Sequence, residues 1–193
     1  MRMFLVGLCL TVSGLLTACS STTPRTTSEV WPLYRPAEFG RASGGRDTSV
    51  VLRGNPLALD PSQFEQTVLD NMQGQNWGPR TNFTTKPTNF DNSYKVVMLF
   101  NGPNVNGGEL CANPGAVPFR TGPQPELHVL AVYCRYDQMM TQSQGWLTPE
   151  ANGISQEGFA RLIRQMTADL FPAFNPDDPR RDNDRDRCRG TIC

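Results

Sequence analysis

The residues best equipped for chemistry in this 193-residue chain are six cysteines and a single histidine, His128. A cysteine in contact with a histidine can act as an activated nucleophile. Cys134 is close to His128 in the sequence, but along an extended strand the two side chains lie about 20 Å apart. Cys111 can approach His128 from a loop, yet a disulfide-bonded cysteine has no thiolate to activate. The sequence therefore predicts no cysteine–histidine dyad.

Other catalytic patterns do not occur in the sequence. It contains no Gly-x-Ser-x-Gly elbow and no His-Glu-x-x-His motif, and nothing fixes two carboxylates at the separation that a glycosidase needs. The glycine-rich segment 101–108 lacks the patterns of a P-loop and of a dinucleotide-binding loop. We predict no catalytic residue, no cofactor and no metal site, and we keep four residues as a possible ligand loop: Asn101, Asn104, Asn106 and His128.

The first 18 residues have the pattern of an export signal. Arg2 provides a positive start, and residues 3–16 form an apolar stretch that is too short to span a bilayer comfortably. Two small residues then precede a cysteine. This order of charge, apolar run, small residues and cysteine resembles the lipobox of bacterial lipoproteins, here Leu16-Thr17-Ala18-Cys19.

The resemblance implies that Cys19 is lipidated and is the first residue of the mature protein. Two or more acyl chains on one residue would hold a soluble domain stably on a membrane surface. Ser20 follows Cys19, which in the enterobacterial version of this rule implies the outer membrane rather than the inner one. We therefore expect a location in the cell envelope, facing the periplasm. The alternative is an ordinary secretory signal in which Cys9 and Cys19 are incidental.

Four further cysteines follow the signal, and their even number in an exported chain indicates two disulfides with three possible pairings. The most economical pairing joins Cys111 to Cys134 and Cys188 to Cys193. Metal binding is the alternative, but the sequence has no Cys-x-x-Cys pair.

The charge balance favours neither of two anionic partners. The chain has 18 basic and 18 acidic residues, so its net charge gives no electrostatic case for binding nucleic acid or an acidic membrane surface. Its length after the signal is that of one domain plus tails.

Both ends of the mature chain have compositions that are typical of mobile segments. We assign residues 19–47 to a lipidated cysteine and a flexible tether, residues 48–172 to the folded domain, and residues 173–193 to a mobile tail of balanced charge. Four apolar residues interrupt the tether, and we favour their docking on the domain over contact with lipid or a partner: Trp31, Leu33, Tyr34 and Phe39.

Periodicity and capping residues predict five main elements within residues 48–172. Asp60 and Ser155 are placed to cap two helices with regularly spaced apolar faces. The predicted elements, in order, are a strand at 49–53, a helix from 61 to about 73, a strand at 94–100, a strand at 127–136 and a helix from 156 to 171, with a possible short edge strand at 82–84.

This order predicts an α+β fold with a small, mostly antiparallel sheet of three to four strands and both helices on one face. Two functions fit it. The first is a non-enzymatic accessory or scaffold domain that docks on another envelope component. The second is a periplasmic ligand-binding or hydrolytic domain that uses the 101–126 loop and His128.

Overall fold

The computed structural model describes residues 23–122 and 124–178, which form a six-stranded mixed sheet with helices on both faces. In chain order the elements are β1 Arg25–Val30, α1 Pro36–Ser43, β2 Asp47–Arg53, α2 Pro61–Met72, β3 Asn82–Thr84, β4 Phe90–Phe100, α3 Gly107–Ala112, β5 Leu127–Arg135, β6 Gln138–Leu147 and α4 Gln156–Leu170.

The strand order across the sheet is β1-β6-β5-β4-β2-β3. The central strands β4 and β5 are antiparallel, and both are apolar on both faces because the sheet is covered on both sides there. The α2 crossover makes β2 and β4 parallel. All five predicted elements and the short edge strand β3 are present, so the α+β class is confirmed.

The sheet has more strands than the sequence predicted, and it is mixed, with three antiparallel and two parallel strand pairings. Strand β6 was missed because its sequence, Gln-Met-Met-Thr-Gln-Ser-Gln-Gly-Trp-Leu, has four successive polar residues followed by a glycine and shows no alternation. Gly145 has a structural reason: an added Cβ would lie 2.5 Å from the Met166 sulfur and 2.6 Å from Leu162 Cδ1. The glycine therefore lets α4 lie directly on β6.

The two predicted helices, α2 and α4, pack on the same face of the sheet, as predicted. Two further helices were not predicted, and one of them, α3, lies on the other face. The larger apolar cluster joins α1, α2 and α4 to one face, and the smaller cluster joins α3 to the other. Among residues 23–122 and 124–178, none of the helices combines the length and the apolarity of a membrane span.

The described part of the predicted tether is folded. Strand β1 pairs with β6 over six residues, and α1 buries Phe39 against the sheet. Tyr34 is also buried, so the predicted docking of these two aromatics is present, whereas Trp31 and Leu33 remain 45% and 46% exposed. The polar composition of 25–30 misled the prediction because an edge strand gains its stability from backbone pairing with β6, which local composition does not report.

The start of the predicted mobile tail is also attached to the domain. The Asn175 side chain is buried and donates hydrogen bonds to the backbone oxygens of Trp31 at 2.9 Å and Tyr34 at 3.1 Å. Arg35 and Asp178 form an ion pair at 3.4 Å. Residues 179–193, with the predicted Cys188–Cys193 pair, lie outside the described residues, as does Cys19.

Asp47 at the start of β2 holds the loop before β4 in place. Its Oδ2 accepts hydrogen bonds from the backbone N–H groups of Thr88 at 2.8 Å and Asn89 at 3.2 Å, and its Oδ1 accepts one from Asn82 Nδ2 at 2.8 Å. These hydrogen bonds, with that of Thr88 the strongest, lower the pKa of Asp47 to about 2.

We expect Asp47→Asn to lower stability at neutral pH and to flatten its dependence on acid. A carboxyl with a depressed pKa in the folded state stabilises the fold above its unfolded pKa of about 4. That contribution is lost as the pH falls through about 2. Denaturant unfolding of the wild type and the variant at about pH 7 and about pH 3 measures how much free energy of unfolding each protein loses in acid. An Asp47→Asn protein that loses as much stability in acid as the wild type would contradict this role.

Candidate binding cleft

One half of a sheet face, formed by β1 and β6, carries polar side chains instead of a helix. The register places Glu29 beside Gln142 and Thr27 beside Gln144. Alternate residues of β6 point to the opposite face, where Ser143 and Gly145 lie against α4. Helix α3 packs on β5 and touches β6 at Met139 and Gln142, and the polar strip beside it on β1 and β6 stays open.

A cleft of about 700 Å³ lies over this strip. The strands contribute Glu29, Gln142 and Gln144. Trp31 and Leu33, which follow β1, add an exposed apolar part. The remaining lining comes from the segment before and into α3, from the β5–β6 turn and from the start of β6: Asn104, Val105, Asn106, Gly107, Gly108, Asp137, Gln138 and Met139.

The segment 104–108 is held against β6 by close packing at the start of α3. Asn106 caps the helix, because its Oδ1 accepts a hydrogen bond from the Gly108 N–H at 2.7 Å. A Cβ at Gly107 would lie 2.6 Å from Gln142 Oε1 and 2.6 Å from the Met139 sulfur. Glycine at this position therefore allows the helix to begin directly on the strand.

A disulfide fixes α3 to the sheet from its other end. Cys111 of α3 is bonded to Cys134 of β5, and both are fully buried in the smaller apolar cluster. The predicted pairing of these two cysteines is confirmed. Because both sulfurs are in this bond, neither is available as a thiolate nucleophile.

The cleft combines amides, carboxylates and an indole. Glu29 accepts a hydrogen bond from Gln142 Nε2 at 2.8 Å. The side chains of Asn104, Gln138 and Gln144 make no hydrogen bond within the described part of the chain. Glu29 and Asp137 are acidic, and none of the described residues that line the cleft is basic. The cleft is thus acidic and can both donate and accept hydrogen bonds.

Two of the four residues of the possible ligand loop, Asn104 and Asn106, line this cleft. Asn101 lines a separate cavity of about 330 Å³ and has a local role at the end of β4. It adopts φ 52°, and its Oδ1 accepts a hydrogen bond from the His128 N–H at 3.2 Å. Asn101 therefore joins β4 to β5 rather than facing the main cleft.

His128 lies outside the lining of both cavities. Its ring stacks on Trp146 of β6, with 5.3 Å between the ring centroids. At the same end of the sheet, Arg25 and Glu126 form an exposed ion pair at 2.6 Å. The structure thus brings Asn104 and Asn106 together and places Asn101 and His128 elsewhere.

Sequence reasoning missed the cleft residues of β1 and β6. The sequence carried no clear signal for them, because residues 25–29 are all polar and residues 141–144 are polar at four successive positions. Neither segment shows the alternation of apolar and polar residues that is typical of a strand with one solvated face.

No three His, Cys, Asp or Glu residues within 23–122 and 124–178 lie close enough together to hold a metal ion.

The sequence matches no protein-family model and no curated protein at a significant level. Among solved structures, the fold is similar to that of PelC, solved as a dodecamer from Paraburkholderia phytofirmans. The match has a TM-score of 0.42 and 11% sequence identity, and it covers 79% of this chain and 100% of the PelC chain. The similarity is distant in both sequence and coordinates.

Proposed function

We propose that this chain is a lipoprotein of the cell envelope whose folded domain binds another envelope component in the cleft, without catalysing a reaction. Cys19 carries the lipid anchor, and the domain faces the periplasm from the outer membrane. The anchor rests on the sequence pattern of residues 1–19. The binding role rests on one observation, the open polar half of the sheet face beside the exposed Trp31.

The cleft has the size and the chemistry of a recognition site. Binding pockets commonly have volumes of about 300–1,000 Å³ and combine apolar surface with a few polar groups that set orientation. Here the apolar surface comes from Trp31 and Leu33, and the free amides are Asn104, Gln138 and Gln144. Exposed tryptophans are also over-represented among residues that dominate the energy of protein interfaces.

The charge of the cleft limits the kind of partner. Glu29 and Asp137 repel an anionic group, and none of the described lining residues has a positive charge that could pair with one. The partner segment therefore carries no net negative charge and offers several hydrogen-bonding groups to the amides.

The second candidate, a ligand-binding or hydrolytic site made from the 101–126 loop and His128, has less support. Its four residues do not share one cavity, since Asn101 and His128 lie outside the cleft that contains Asn104 and Asn106.

We expect a photo-crosslinking amino acid at position Gln144 to capture one partner in intact envelopes. The matched control is Gln66, an exposed residue of α2 on the opposite face. Trp31→Ala should reduce crosslinking at position 144 roughly tenfold or more, because truncating a central interface aromatic commonly costs at least ~1–2 kcal/mol. Mass spectrometry of the adducts identifies the partner.

Equal labelling from positions 144 and 66, or a yield that Trp31→Ala leaves unchanged, would disprove binding in the cleft. Loss of membrane association in Cys19→Ser tests the anchor separately.

A further inference from the structure

A second surface lies on the opposite face of the sheet, where the outer side of α4 meets the first described residues. It is a shallow recess of about 400 Å³, and its lining includes Thr23, Pro24, Gln75, Arg161, Arg164 and Gln165. The two arginines are three residues apart on one helix, so they project from the same side of α4.

Both arginines of the recess are partly buried. Arg164 Nη1 donates a hydrogen bond to Asn71 Oδ1 at 2.8 Å, which fixes the direction of its guanidinium group. Arg161 Nε is buried and has no hydrogen-bond partner within the described residues. Asp169, an acidic residue on the next turns of α4, accepts hydrogen bonds from Gln165 at 2.8 Å and Ser143 at 3.2 Å. The recess is therefore a local basic site in a chain of zero formal net charge.

The length of the chain ties this recess to the lipid anchor. Thr23 lies four residues after Cys19 in the sequence. Four residues span at most about 14 Å even when fully extended. A lipidated Cys19 would hold its sulfur at the membrane surface, so Thr23 and the arginines beside it stay close to the lipid headgroups.

We propose that this surface of α4 faces the membrane, with the guanidinium groups of Arg161 and Arg164 binding the phosphate groups of anionic phospholipids. Arginine suits this role because its planar group donates two hydrogen bonds to one phosphate. The inference rests on the lipid anchor of the proposed function. It also has a geometric consequence: the cleft, on the opposite face of the sheet, points away from the membrane toward partners in the periplasm.

The test uses the full mature lipoprotein in vesicles of phosphatidylethanolamine and phosphatidylglycerol. A fluorophore is attached at Ala168→Cys, beside the recess, or at Asn104→Cys, on the cleft side. A headgroup-linked spin label in the vesicles then quenches whichever fluorophore lies near the surface. We expect several-fold stronger quenching at position 168 than at position 104.

The double variant Arg161→Gln/Arg164→Gln should remove this difference. The matched double variant Arg161→Lys/Arg164→Lys should keep most of the difference, because it retains both positive charges. It also loses the hydrogen bond from Arg164 to Asn71, so it controls for that loss in the Gln variant. We expect the Gln variant to weaken the membrane-facing orientation by roughly fivefold per arginine at low salt.

Equal quenching at positions 168 and 104 in the wild type, or an unchanged difference in the Gln variant, would overturn the inference while leaving the anchor intact. If the protein instead fails to float with the vesicles, the anchor itself is disproved, and the inference falls with it.

Discussion

Replacing Cys111 and Cys134 together with alanine is expected to lower the free energy of unfolding by about 3 kcal/mol. The two residues are 23 positions apart in the sequence, so their bond removes much of the freedom of the unfolded segment 111–134. In the folded state it attaches a six-residue helix, too short to be stable alone, to the central strand β5.

The same variant should also weaken partner binding, although neither cysteine lines the cleft. Segment 104–108 forms part of the cleft, and its last two residues are the first turn of α3. Without the bond to Cys134, α3 is held mainly by Leu110 and by the close packing of Gly107 on β6. If segment 104–108 is more mobile in the free protein, binding must order it, and the lost conformational entropy lowers the affinity.

Denaturant unfolding measures the stability change, and crosslinking from position 144 measures the binding change. Wild-type protein in reducing buffer is the natural comparison and should approach the stability of the double variant. A loss below about 1 kcal/mol would mean that packing alone holds α3 in place.

Phe39→Ala is expected to lower the free energy of unfolding by about 3–5 kcal/mol, the usual range for truncating a fully buried phenylalanine. Phe39 is 1% exposed. Its ring stacks on Phe171 with 4.3 Å between centroids and meets the edge of Tyr133 at 5.7 Å. Its removal would leave a cavity between α1, β5 and the residue that follows α4.

Leu33→Ala is the matched control because it removes a large apolar side chain from the same segment at a site that is 46% exposed. It should change stability by no more than about 0.5 kcal/mol. A thermal scan should separate the two variants by roughly 10 °C. Equal, small effects at both positions would restore the interpretation of residues 19–47 as a flexible tether.

Helix α1 has a polar attachment as well as an apolar one. Glu38 accepts hydrogen bonds from the Tyr94 hydroxyl and from Arg135 Nη1, the latter at 2.9 Å. Partial burial opposes ionisation of Glu38, but these two bonds outweigh it and lower the pKa of the carboxyl. These bonds fix α1 to both β4 and β5, and so they hold Phe39 in its buried position.

The sequence by itself determined the elements whose stability comes from nearby residues. Asp60 and Ser155 cap α2 and α4 as their positions indicate, with hydrogen bonds to the Ser62 and Gly158 N–H groups. Apolar runs marked β4 and β5, because a strand buried on both faces needs apolar residues throughout. The pairing of Cys111 with Cys134 also followed from economy of spacing.

Only the tertiary structure decided where the polar segments belong. Strand β1 is polar, and it is ordered by backbone hydrogen bonds to β6, more than 100 positions away. Helix α3 is short and depends on packing against β5 and β6, so its sequence carries no strong helical period. The cleft is formed only when β1 and α3 both pack beside β6. Its residues come from distant parts of the chain, and β1 is brought to β6 by hydrogen bonds between backbone groups, which every residue except proline can make.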